Sequence, residues 1–424
     1  MKHQVSKIGV IGLGYVGLPL AVAFSEKYSV IGFDIDSHRI EQLNHGVDVT
    51  NEVQSKELES SSALRFCDEI GALRGCNIFI VTVPTPINQH KQPDLLPLIS
   101  ASRLVGAVLK DGDIVIFEST VYPGATEEIC VPELQSVSGM ELNRDFFVGY
   151  SPERINPGDT TRGVKDIIKL TSGSNDYAAD VVDSIYSSII SAGTHKTRSI
   201  KVAEAAKVIE NTQRDVNIAL VNELAIIFEK LGVDTMDVLD AAETKWNFMR
   251  LNPGLVGGHC IGVDPYYLTH KAQSVDYYPE MILAGRRLND RMGEYVATRF
   301  VRTMVQKGLK ISQCKVLVLG FTFKENCPDI RNTKVIDVVT ELKKYNLEVH
   351  VYDPCCDNTS VQEEYGISLV SKLEENLYSG VILAVPHNEF GAMGVNKIRN
   401  LCIPDAVFFD LKSAFDITES DLRL

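Results

Sequence analysis

A glycine-rich turn near the N-terminus, Gly12-Leu13-Gly14-Tyr15-Val16-Gly17, limits the folds open to this 424-residue chain more than any other segment. The apolar run Ile8 to Ile11 precedes it and a helix-like run from Leu18 to Phe24 follows, which predicts a strand, a turn and a helix. The first glycine permits the turn, the second lets backbone approach a pyrophosphate, and the third lets helix and strand pack closely. The segment therefore predicts a dinucleotide-binding unit, with phosphate at the helix N-terminus.

The second predicted strand indicates which dinucleotide binds. It ends in Asp34, about 20 residues after the glycines, where a carboxylate binds a ribose 2′-hydroxyl. This favours NAD over NADP, although Arg39 lies nearby and an arginine can accept a 2′-phosphate. A secretory signal peptide is the alternative for the N-terminus, since Lys2 and Lys7 precede the apolar stretch. A signal peptide does not need glycines at this spacing.

The composition is that of an ordinary globular protein, with 45% hydrophobic and 23% charged residues and room for about three domains. The net charge of −14 argues against nucleic acid or an anionic membrane surface as a partner. No other segment offers about 18 uninterrupted apolar residues, so no transmembrane helix is predicted. Nine cysteines without a Cys-x-x-Cys pair suit the reducing cytoplasm.

Short β-rich runs alternate with helical patterns in the first part of the chain, which predicts a doubly wound parallel sheet. These runs are Ile8 to Ile11, Val30 to Phe33, Ile78 to Val83, Ile114 to Phe117 and Phe146 to Gly149. Polar clusters follow three of them, at Pro84-Thr85-Pro86, Glu118-Ser119-Thr120 and Ser151-Pro152-Glu153-Arg154. Ligands of open α/β sheets bind at the carboxyl ends of strands, so these clusters are candidate cofactor and substrate contacts.

The middle of the chain has a helical period instead. Apolar residues between Ser199 and Leu231 recur mostly at steps of three and four, without Pro or Gly, which predicts a long amphipathic helix. Glu204, Lys207 and Asn211 share one polar face, for which exposure to solvent is the ordinary explanation.

The last part of the chain repeats the strand pattern of the first, with runs at Lys315 to Leu319, Leu347 to Tyr352 and Val381 to Val385, the second of them followed by Asp353. It has Gly320-Phe321-Thr322-Phe323-Lys324 in place of the glycine turn, so we expect a different phosphate ligand, bound by Lys324 and Arg331. We predict an α/β fold with two Rossmann-like doubly wound domains, at 1–198 and 312–424. A helical middle domain at 199–311, which begins with the long helix, joins them.

Cys260 lies in the segment Gly257-Gly258-His259-Cys260-Ile261-Gly262-Val263-Asp264-Pro265. Most free cysteines are small buried hydrophobic residues, and a metal site on His259, Cys260 and Asp264 lacks a second ligand cluster at zinc-like spacing. The glycines let backbone approach a ligand closely, and the chain already carries an NAD signature. A thiolate beside a nicotinamide attacks an aldehyde, and the thiohemiacetal is then oxidised to a thioester. Cys260 is therefore a candidate nucleophile.

Taken together, these motifs resemble the UDP-glucose/GDP-mannose dehydrogenase family, the NAD-dependent enzymes that oxidise the 6-hydroxymethyl group of a nucleotide sugar to a uronic acid. The resemblance spans nearly the whole chain. It rests on the motifs Gly12 to Gly17, Thr85, Glu118 to Thr120, Ser151 to Glu153, Lys207 with Asn211, Gly257 to Asp264, and Phe323-Lys324 with Asp329 and Arg331. It implies a four-electron enzyme and a homodimer or higher homo-oligomer formed through the long helix.

The resemblance also implies roles for individual residues. Cys260 is the nucleophile, supported by Lys207, Asn211 and Asp264. Lys207 and Asn211 also contact the substrate oxygen, and Glu153 assists hydrolysis of the thioester. The resemblance assigns further contacts to the cofactor at Thr85, Thr120 and Arg331, with Arg331 in a neighbouring subunit as one arrangement, and to the substrate at Arg154, Gly257 and Lys324.

The loop around Cys260 bears on the identity of the sugar. UDP-glucose 6-dehydrogenases usually carry a lysine directly before the aspartate, where this chain has Val263. His259 and the segment from Lys324 to Asn332 resemble the branch that acts on UDP-N-acetylhexosamines. The resemblance implies UDP-GlcNAc or UDP-GalNAc as substrate, with UDP-ManNAc and UDP-glucose as alternatives, and a product used for surface polysaccharides.

Two other functions share part of this pattern. A two-electron dehydrogenase of the hydroxyacid type has the glycine turn and a lysine–asparagine helix, but no use for Cys260. A non-enzymatic NAD-sensing module needs only the first domain. Counting the NADH released per sugar separates the first of these from a four-electron enzyme.

Overall fold

The computed structural model describes residues 5–50, 52–88, 90–155, 163–258 and 261–424. They form two compact units. The first comprises Met1–Glu210 and Tyr266–Tyr277, and the second comprises Asn211–Pro265 and Tyr278–Leu424. Among the described residues, none of the helices combines the length and the apolar character needed to cross a membrane.

The first unit is built on an eight-stranded sheet with the order β3-β2-β1-β4-β5-β6-β7-β8. The strands are β1 (Ile8–Ile11), β2 (Val30–Phe33), β3 (Leu64–Cys67), β4 (Ile78–Val81), β5 (Ile114–Phe117), β6 (Phe147–Tyr150), β7 (Lys169–Gly173) and β8 (Thr194–Lys196). Neighbouring strands are parallel except β6 and β7, which are antiparallel. The first six strands have the order 3-2-1-4-5-6 of Rossmann folds.

Helices cover this sheet. They are α1 (Gly17–Ser25), α2 (Ser37–Asn44), α3 (Ser55–Ser60), α4 (Leu96–Gly106), α5 (Val131–Ser138) and α6 (Asp176–Ser187). Strands β1, β4 and β5 are buried at every position, as expected for a parallel sheet with helices on both faces. The core joins Val10 and Ile80 of the sheet to Leu18 of α1 and Tyr186 of α6. The site residues that follow the strands therefore stand on a rigid base.

The middle of the chain is helical. Its helices are α7 (Ile200–Leu231), α8 (Thr235–Glu243), α9 (Asp264–Ser274) and α10 (Glu280–Gln306). In the second unit, polar side chains of α7 and α10 bond to each other inside the protein. Arg286 of α10 forms an ion pair with Asp215 of α7 at 2.5 Å, and Asn222 donates to Asn289 at 2.9 Å.

The second unit contains a five-stranded parallel sheet with the order β10-β9-β11-β12-β13. Its strands are β9 (Lys315–Leu319), β10 (Glu348–Tyr352), β11 (Tyr378–Leu383), β12 (Cys402–Asp410) and β13 (Leu422–Arg423). Its helices are α11 (Val335–Lys344), α12 (Asn358–Tyr365) and α13 (Asn388–Asn400). Helix α10 contributes Phe300 and Met304 to the core beneath this sheet. The order 2-1-3-4-5 is the other common doubly wound arrangement, so the second sheet repeats the winding but not the full strand order of the first.

The structure confirms the predicted α/β class, with two sheets that are parallel except between β6 and β7, and a long helix between them in sequence. Six predicted strands match to within one residue at both ends, namely β1, β2, β5, β6, β9 and β10. The run at Ile78 to Val83 stops two residues early, and the run at Val381 to Val385 is shifted to Tyr378–Leu383. The strand β3 was not predicted because none of its residues is fully buried, so its apolar pattern is weak.

Candidate active site

The glycine turn has the conformation and the space that a bound dinucleotide requires. Gly12 has φ +94°, in the left-handed region. A Cβ at Gly17 would lie 1.8 Å from the carbonyl oxygen of Gly12, so a larger residue would separate the turn from α1. A Cβ at Gly14 would meet no protein atom within 4 Å. This exposed position is open to a ligand, and the turn thus fits NAD.

Two predicted cofactor residues hold the Leu13 peptide inside this turn. Asp34 accepts the Leu13 N–H at 2.7 Å, and the Arg39 guanidinium donates twice to the Leu13 carbonyl at 2.9 and 3.0 Å. Arg39 is buried and also forms an ion pair with Asp48 at 2.7 Å. The contacts of Arg39 in the structure are therefore with the protein, and they brace the turn. Tyr15 and Val16 lie half-buried in the turn, directly before α1.

The polar clusters after β4 and β5 meet at one edge of the sheet. Thr85 donates from Oγ1 to the carbonyl of Thr120 at 2.8 Å, and Ser119 donates to the carbonyl of Val83 at 2.6 Å. The hydroxyl of Tyr267, on α9, donates to the carbonyl of Thr85 at 2.7 Å. The structure thus brings together two predicted cofactor residues from separate strands.

A buried cluster of charged side chains lies after β5 and β6 and at the start of β7. Lys169 Nζ lies 2.6 Å from Glu118 Oε2 and 3.3 Å from Glu153 Oε2, and the Tyr186 hydroxyl donates to Glu118. Burial raises the pKa of Glu118 to about 7; the charge of Glu153 adds to this rise and Lys169 opposes it. Lys169 is not among the residues predicted from the sequence. The only indication of a buried charge there is a lysine within the otherwise apolar run Ile167 to Leu170.

The polar face of α7 is not exposed to solvent. Glu204, Lys207 and Asn211 are all buried. Glu204 accepts the N–H groups of Gly124 and Thr126 at 2.5 and 2.9 Å; burial raises its pKa, and these hydrogen bonds oppose the rise. Exposure to solvent is therefore the wrong explanation for this face, because its residues serve contacts inside the protein.

Two further candidate residues lie near α7. In the first unit, Arg154 forms an ion pair with Glu210 at 2.7 Å. In the second unit, Asn211 donates from Nδ2 to Asp264 at 2.6 Å, and both side chains are buried. The structure therefore joins two predicted catalytic residues that are 53 positions apart in the sequence. His259 and Cys260 lie outside the described residues.

The loop that precedes Cys260 is held by backbone contacts within the second unit. Asn222 accepts the Gly254 N–H at 2.8 Å and donates to the Gly254 carbonyl at 3.0 Å. The Gly258 N–H donates to the carbonyl of Asn332 at 3.2 Å, and a Cβ at Gly257 would lie 2.7 Å from that same oxygen. Glycine is therefore needed at position 257 for a packing reason, in addition to its predicted substrate contact.

The Gly320 turn of the second unit repeats the local geometry of the first. Gly320 has φ +87°, and Asp353 after β10 accepts the N–H groups of Phe321 and Thr322 at 2.5 and 3.0 Å. Burial works against ionisation of Asp353, but hydrogen bonds from His387 and the Phe321 amide hold its pKa down to about 2. This carboxylate thus supports its own turn, as Asp34 does in the first unit, and it is additionally bonded to His387.

Asp353, Cys355 and His387 place three potential metal-ligand atoms within 4.8 Å of one another. His387 Nε2 lies 3.0 Å from Asp353, and the Asn326 N–H donates to Nδ1 at 2.9 Å. Both ring nitrogens thus have protein partners. We interpret the group as a brace for the turn that carries Lys324.

The predicted ligand contacts of the second unit lie on neighbouring loops. A small pocket is lined by residues of the Gly257 loop, the Phe323 turn and two lysines, namely Leu255, Gly257, Thr322, Phe323, Glu325, Lys334 and Lys412. Lys324 is half-buried in the same turn. Arg331, half-exposed, forms an ion pair with Asp329 at 2.6 Å.

Comparison with known proteins finds family matches to three successive segments of the chain. Three models of the UDP-glucose/GDP-mannose dehydrogenase family match the chain. The NAD binding domain matches residues 6–190, the central domain residues 201–291, and the UDP binding domain residues 317–417.

Individual relatives match along the full length. The chain is 60% identical to UDP-N-acetyl-D-glucosamine 6-dehydrogenase from Pseudomonas aeruginosa, covering 99% of both chains. It is 58% identical to the enzyme of the same name from Salmonella typhi, over 99% of this chain and 98% of the relative. The solved UDP-D-ManNAc dehydrogenase from Pyrococcus horikoshii superposes with a TM-score of 0.88 at 30% identity, covering 98% of each chain. The chain therefore belongs to the UDP-glucose/GDP-mannose dehydrogenase family of NAD-dependent oxidoreductases.

Proposed function

We propose that this enzyme oxidises the C6 hydroxymethyl group of a UDP-N-acetylhexosamine to a carboxylate, with UDP-GlcNAc as the first candidate and UDP-GalNAc as the second. The observation that carries the proposal is the 60% identity, over the whole chain, to an enzyme named for UDP-N-acetyl-D-glucosamine. The oxidation takes four electrons, so two NAD molecules are consumed per sugar. NAD, when bound, supplies the hydride acceptor for both oxidations.

The proposed chemistry rests on Cys260. Its thiolate attacks the aldehyde made by the first oxidation, and the thiohemiacetal is oxidised to a thioester in the second. Lys207 and Asn211 stabilise negative charge on the substrate oxygen, because preorganised donors do so without a reorganisation cost. The hydrogen bond from Asn211 to Asp264 supports a shared role, in which Asp264 and Lys207 handle the alcohol proton through a water. Glu153 then assists water in hydrolysing the thioester.

The remaining assignments concern binding. We propose the glycine turn, Asp34, Thr85 and Thr120 as the NAD contacts, with Arg39 as support for the turn and Arg331 as a further contact. Arg154, Gly257 and Lys324 are proposed substrate contacts. The match to the family's UDP binding domain supports a UDP site in the domain that we place at 312–424, and the match to its central domain supports the division at 199–311.

The second unit also supports a homodimer. Leu220, Ile227 and Leu231 of α7 are 55, 43 and 67% exposed, and their spacings of seven and four place them on one stripe. Beside the stripe, α7 and α10 enclose a groove of about 710 Å³ with an exposed Met281. The groove also carries both signs of charge, Glu223 and Glu294 with Arg287 and Arg291. A symmetric interface with a second copy pairs such groups reciprocally.

NAD-dependent synthesis of a nucleotide-sugar acid fits the cytoplasm, where thiols stay reduced. The described residues include eight free cysteines and Cys260 is the ninth in the sequence, which agrees with that compartment. The uronic acid product is suited to surface polysaccharide synthesis.

The test is NADH production by the purified protein with UDP-GlcNAc, UDP-GalNAc, UDP-ManNAc and UDP-glucose side by side, counted per sugar consumed. We expect two NADH per acetamido sugar, little turnover of UDP-glucose, and at least a roughly 10³-fold loss of kcat in Cys260→Ser. One NADH per sugar would indicate a two-electron enzyme. Turnover of UDP-glucose alone would keep the mechanism and refute the assigned sugar.

A further inference from the structure

Three charged side chains, Lys169, Glu118 and Glu153, form one buried cluster in the first unit, and the family mechanism used above needs only Glu153. Lys169 begins β7, Glu118 directly follows β5, and Glu153 lies on the segment after β6. Side-chain exposure is 3% for Lys169, 0% for Glu118 and 12% for Glu153. Only Glu153 is partly accessible, so it is the member of this cluster that is placed to act on a ligand.

Both oxygens of the Glu153 carboxylate are held. Its Oε1 accepts the N–H groups of Arg154 and Ile155, each at 2.6 Å, and its Oε2 lies 3.3 Å from the ammonium of Lys169. The backbone contacts fix one side of the carboxylate and the lysine fixes the other. Of the three side chains, Lys169 alone supplies positive charge, and it lies with its ammonium 5.4 Å from the centre of the Tyr186 ring.

The cluster contains two carboxylates and one ammonium group. A buried carboxylate without a cation becomes protonated, because desolvation penalises its charge. Burial raises the pKa of Glu118 to about 7, and Lys169 opposes this rise. The Lys169 ammonium lies 2.6 Å from Glu118 and 3.3 Å from Glu153, so the same cation serves both carboxylates.

We propose that Lys169 is a positioning residue for the final hydrolysis, which pairs its charge with the Glu153 carboxylate and holds that carboxylate oriented as the base that activates water. In that step the water oxygen bonds to the acyl carbon, the carbon–sulfur bond breaks, the Cys260 thiolate leaves, and Glu153 takes one proton from the water. No electrons are exchanged with a cofactor in this step. The proposal rests on the proposed function, since a thioester must form for Lys169 to matter.

The two oxidations precede hydrolysis, so loss of Lys169 affects the last step selectively. For Lys169→Met we expect a rapid release of two NADH per subunit at the wild-type rate, followed by turnover about 10- to 100-fold slower. Intact-protein mass spectrometry during turnover is expected to show a covalent sugar adduct on the enzyme. Lys169→Arg keeps the charge and is expected to restore most of the hydrolysis rate.

Lys165→Met is the matched control. Lys165 is partly exposed and lies four residues before Lys169 in the sequence. It forms an ion pair at 2.6 Å with Glu26, which is not a member of the cluster. We expect wild-type kinetics and no adduct. If Lys169→Met does not fold, the double variant Glu118→Gln/Lys169→Met removes both members of the tightest pair, leaves no unpaired Glu118 charge, and still deprives Glu153 of its cation.

The two proposals fail in different ways. A wild type that releases one NADH per sugar forms no thioester, which overturns the proposed function and the role of Lys169 together. A wild type that releases two NADH, with a Lys169 variant that hydrolyses at the wild-type rate without an adduct, overturns the role of Lys169 alone. A variant that loses the first oxidation as strongly as hydrolysis also refutes a selective positioning role. If UDP-glucose is the sugar turned over, the same comparison is made with UDP-glucose.

Discussion

Two glycines of the turn, Gly17 and Gly14, are required for different reasons. One allows close packing within the protein, and the other leaves space for a ligand. The position of Gly17 is closed by the protein itself, since a Cβ there would meet both Gly12 and Thr82 at less than 2.5 Å. The position of Gly14 is open, and its neighbour Leu13 is held from both sides by Asp34 and Arg39. The same residue type therefore serves the fold at one position and the cofactor at the other.

Matched alanine substitutions test this distinction. Gly17→Ala forces overlap with backbone and is expected to lower the free energy of unfolding by about 1–3 kcal/mol or more. Gly14→Ala meets no protein atom, so we expect stability within about 0.5 kcal/mol of wild type. Its methyl group instead blocks backbone approach to the pyrophosphate, and we expect at least a roughly 10-fold weaker Kd for NAD. Urea unfolding and NAD titration measure the two effects, and equal destabilisation by both variants would contradict the assignment.

At the scale of elements, α7 departs from the usual amphipathic arrangement. Within the second unit it buries a polar row, with Asn211, Asp215 and Asn222, next to the buried Ala219, Val221 and Ala225. Its exposed row, on the opposite face, is apolar and includes Leu220 and Ile227. The buried polar row joins α7 to α10 and to the loop before Cys260, while the apolar row is left for another partner. The helix thus combines the positioning of a loop with a surface suited to association.

The clamp that Asn222 forms on Gly254 gives a prediction at this scale. Asn222→Ala leaves buried backbone groups of Gly254 without their partners, which we expect to cost about 2 kcal/mol or more in the free energy of unfolding. Because Gly254 begins the loop that leads to Cys260, we also expect kcat to fall about 10-fold. Gln213→Ala, exposed on the same helix, is the control and should change stability by less than about 0.5 kcal/mol. Wild-type stability and kcat in Asn222→Ala would show that the clamp is dispensable.

At the scale of the whole molecule, the exposed apolar row bears on the proposed dimer. Exposed apolar residues are ordinary when scattered, but a contiguous stripe beside a groove indicates a surface that is covered in solution. Leu220→Glu places a charge on this stripe. We expect the wild type to form a dimer, and we expect the variant dimer to have a dissociation constant at least about 10-fold higher, because a desolvated charge opposes association.

Sedimentation velocity over a range of concentrations measures this change. Ile417→Glu is the matched control, since Ile417 is also exposed but lies in the C-terminal domain away from the groove. The control is expected to dimerise like wild type. A wild-type monomer at all concentrations, or an undisturbed dimer of Leu220→Glu, would refute this face as the interface.

The amino-acid sequence by itself determined the local features of this protein. The glycine turn, the buried strands β1, β2, β5 and β9, and the length of α7 follow from turn chemistry and side-chain period, which depend on near neighbours along the chain. The family motifs around Cys260 could be found for the same reason, since each is a short contiguous pattern.

Only the tertiary structure decided which distant groups share a buried environment. Glu118, Glu153 and Lys169 follow or begin three different strands and meet only when the sheet forms. The polar face of α7 looks like a solvated surface in sequence and is buried in the protein. Asp353 follows its strand as Asp34 does, but its bond to the buried His387, 34 positions away, is visible only in the folded structure. Burial and charge pairing depend on contacts between segments far apart in the chain, and no local pattern encodes them.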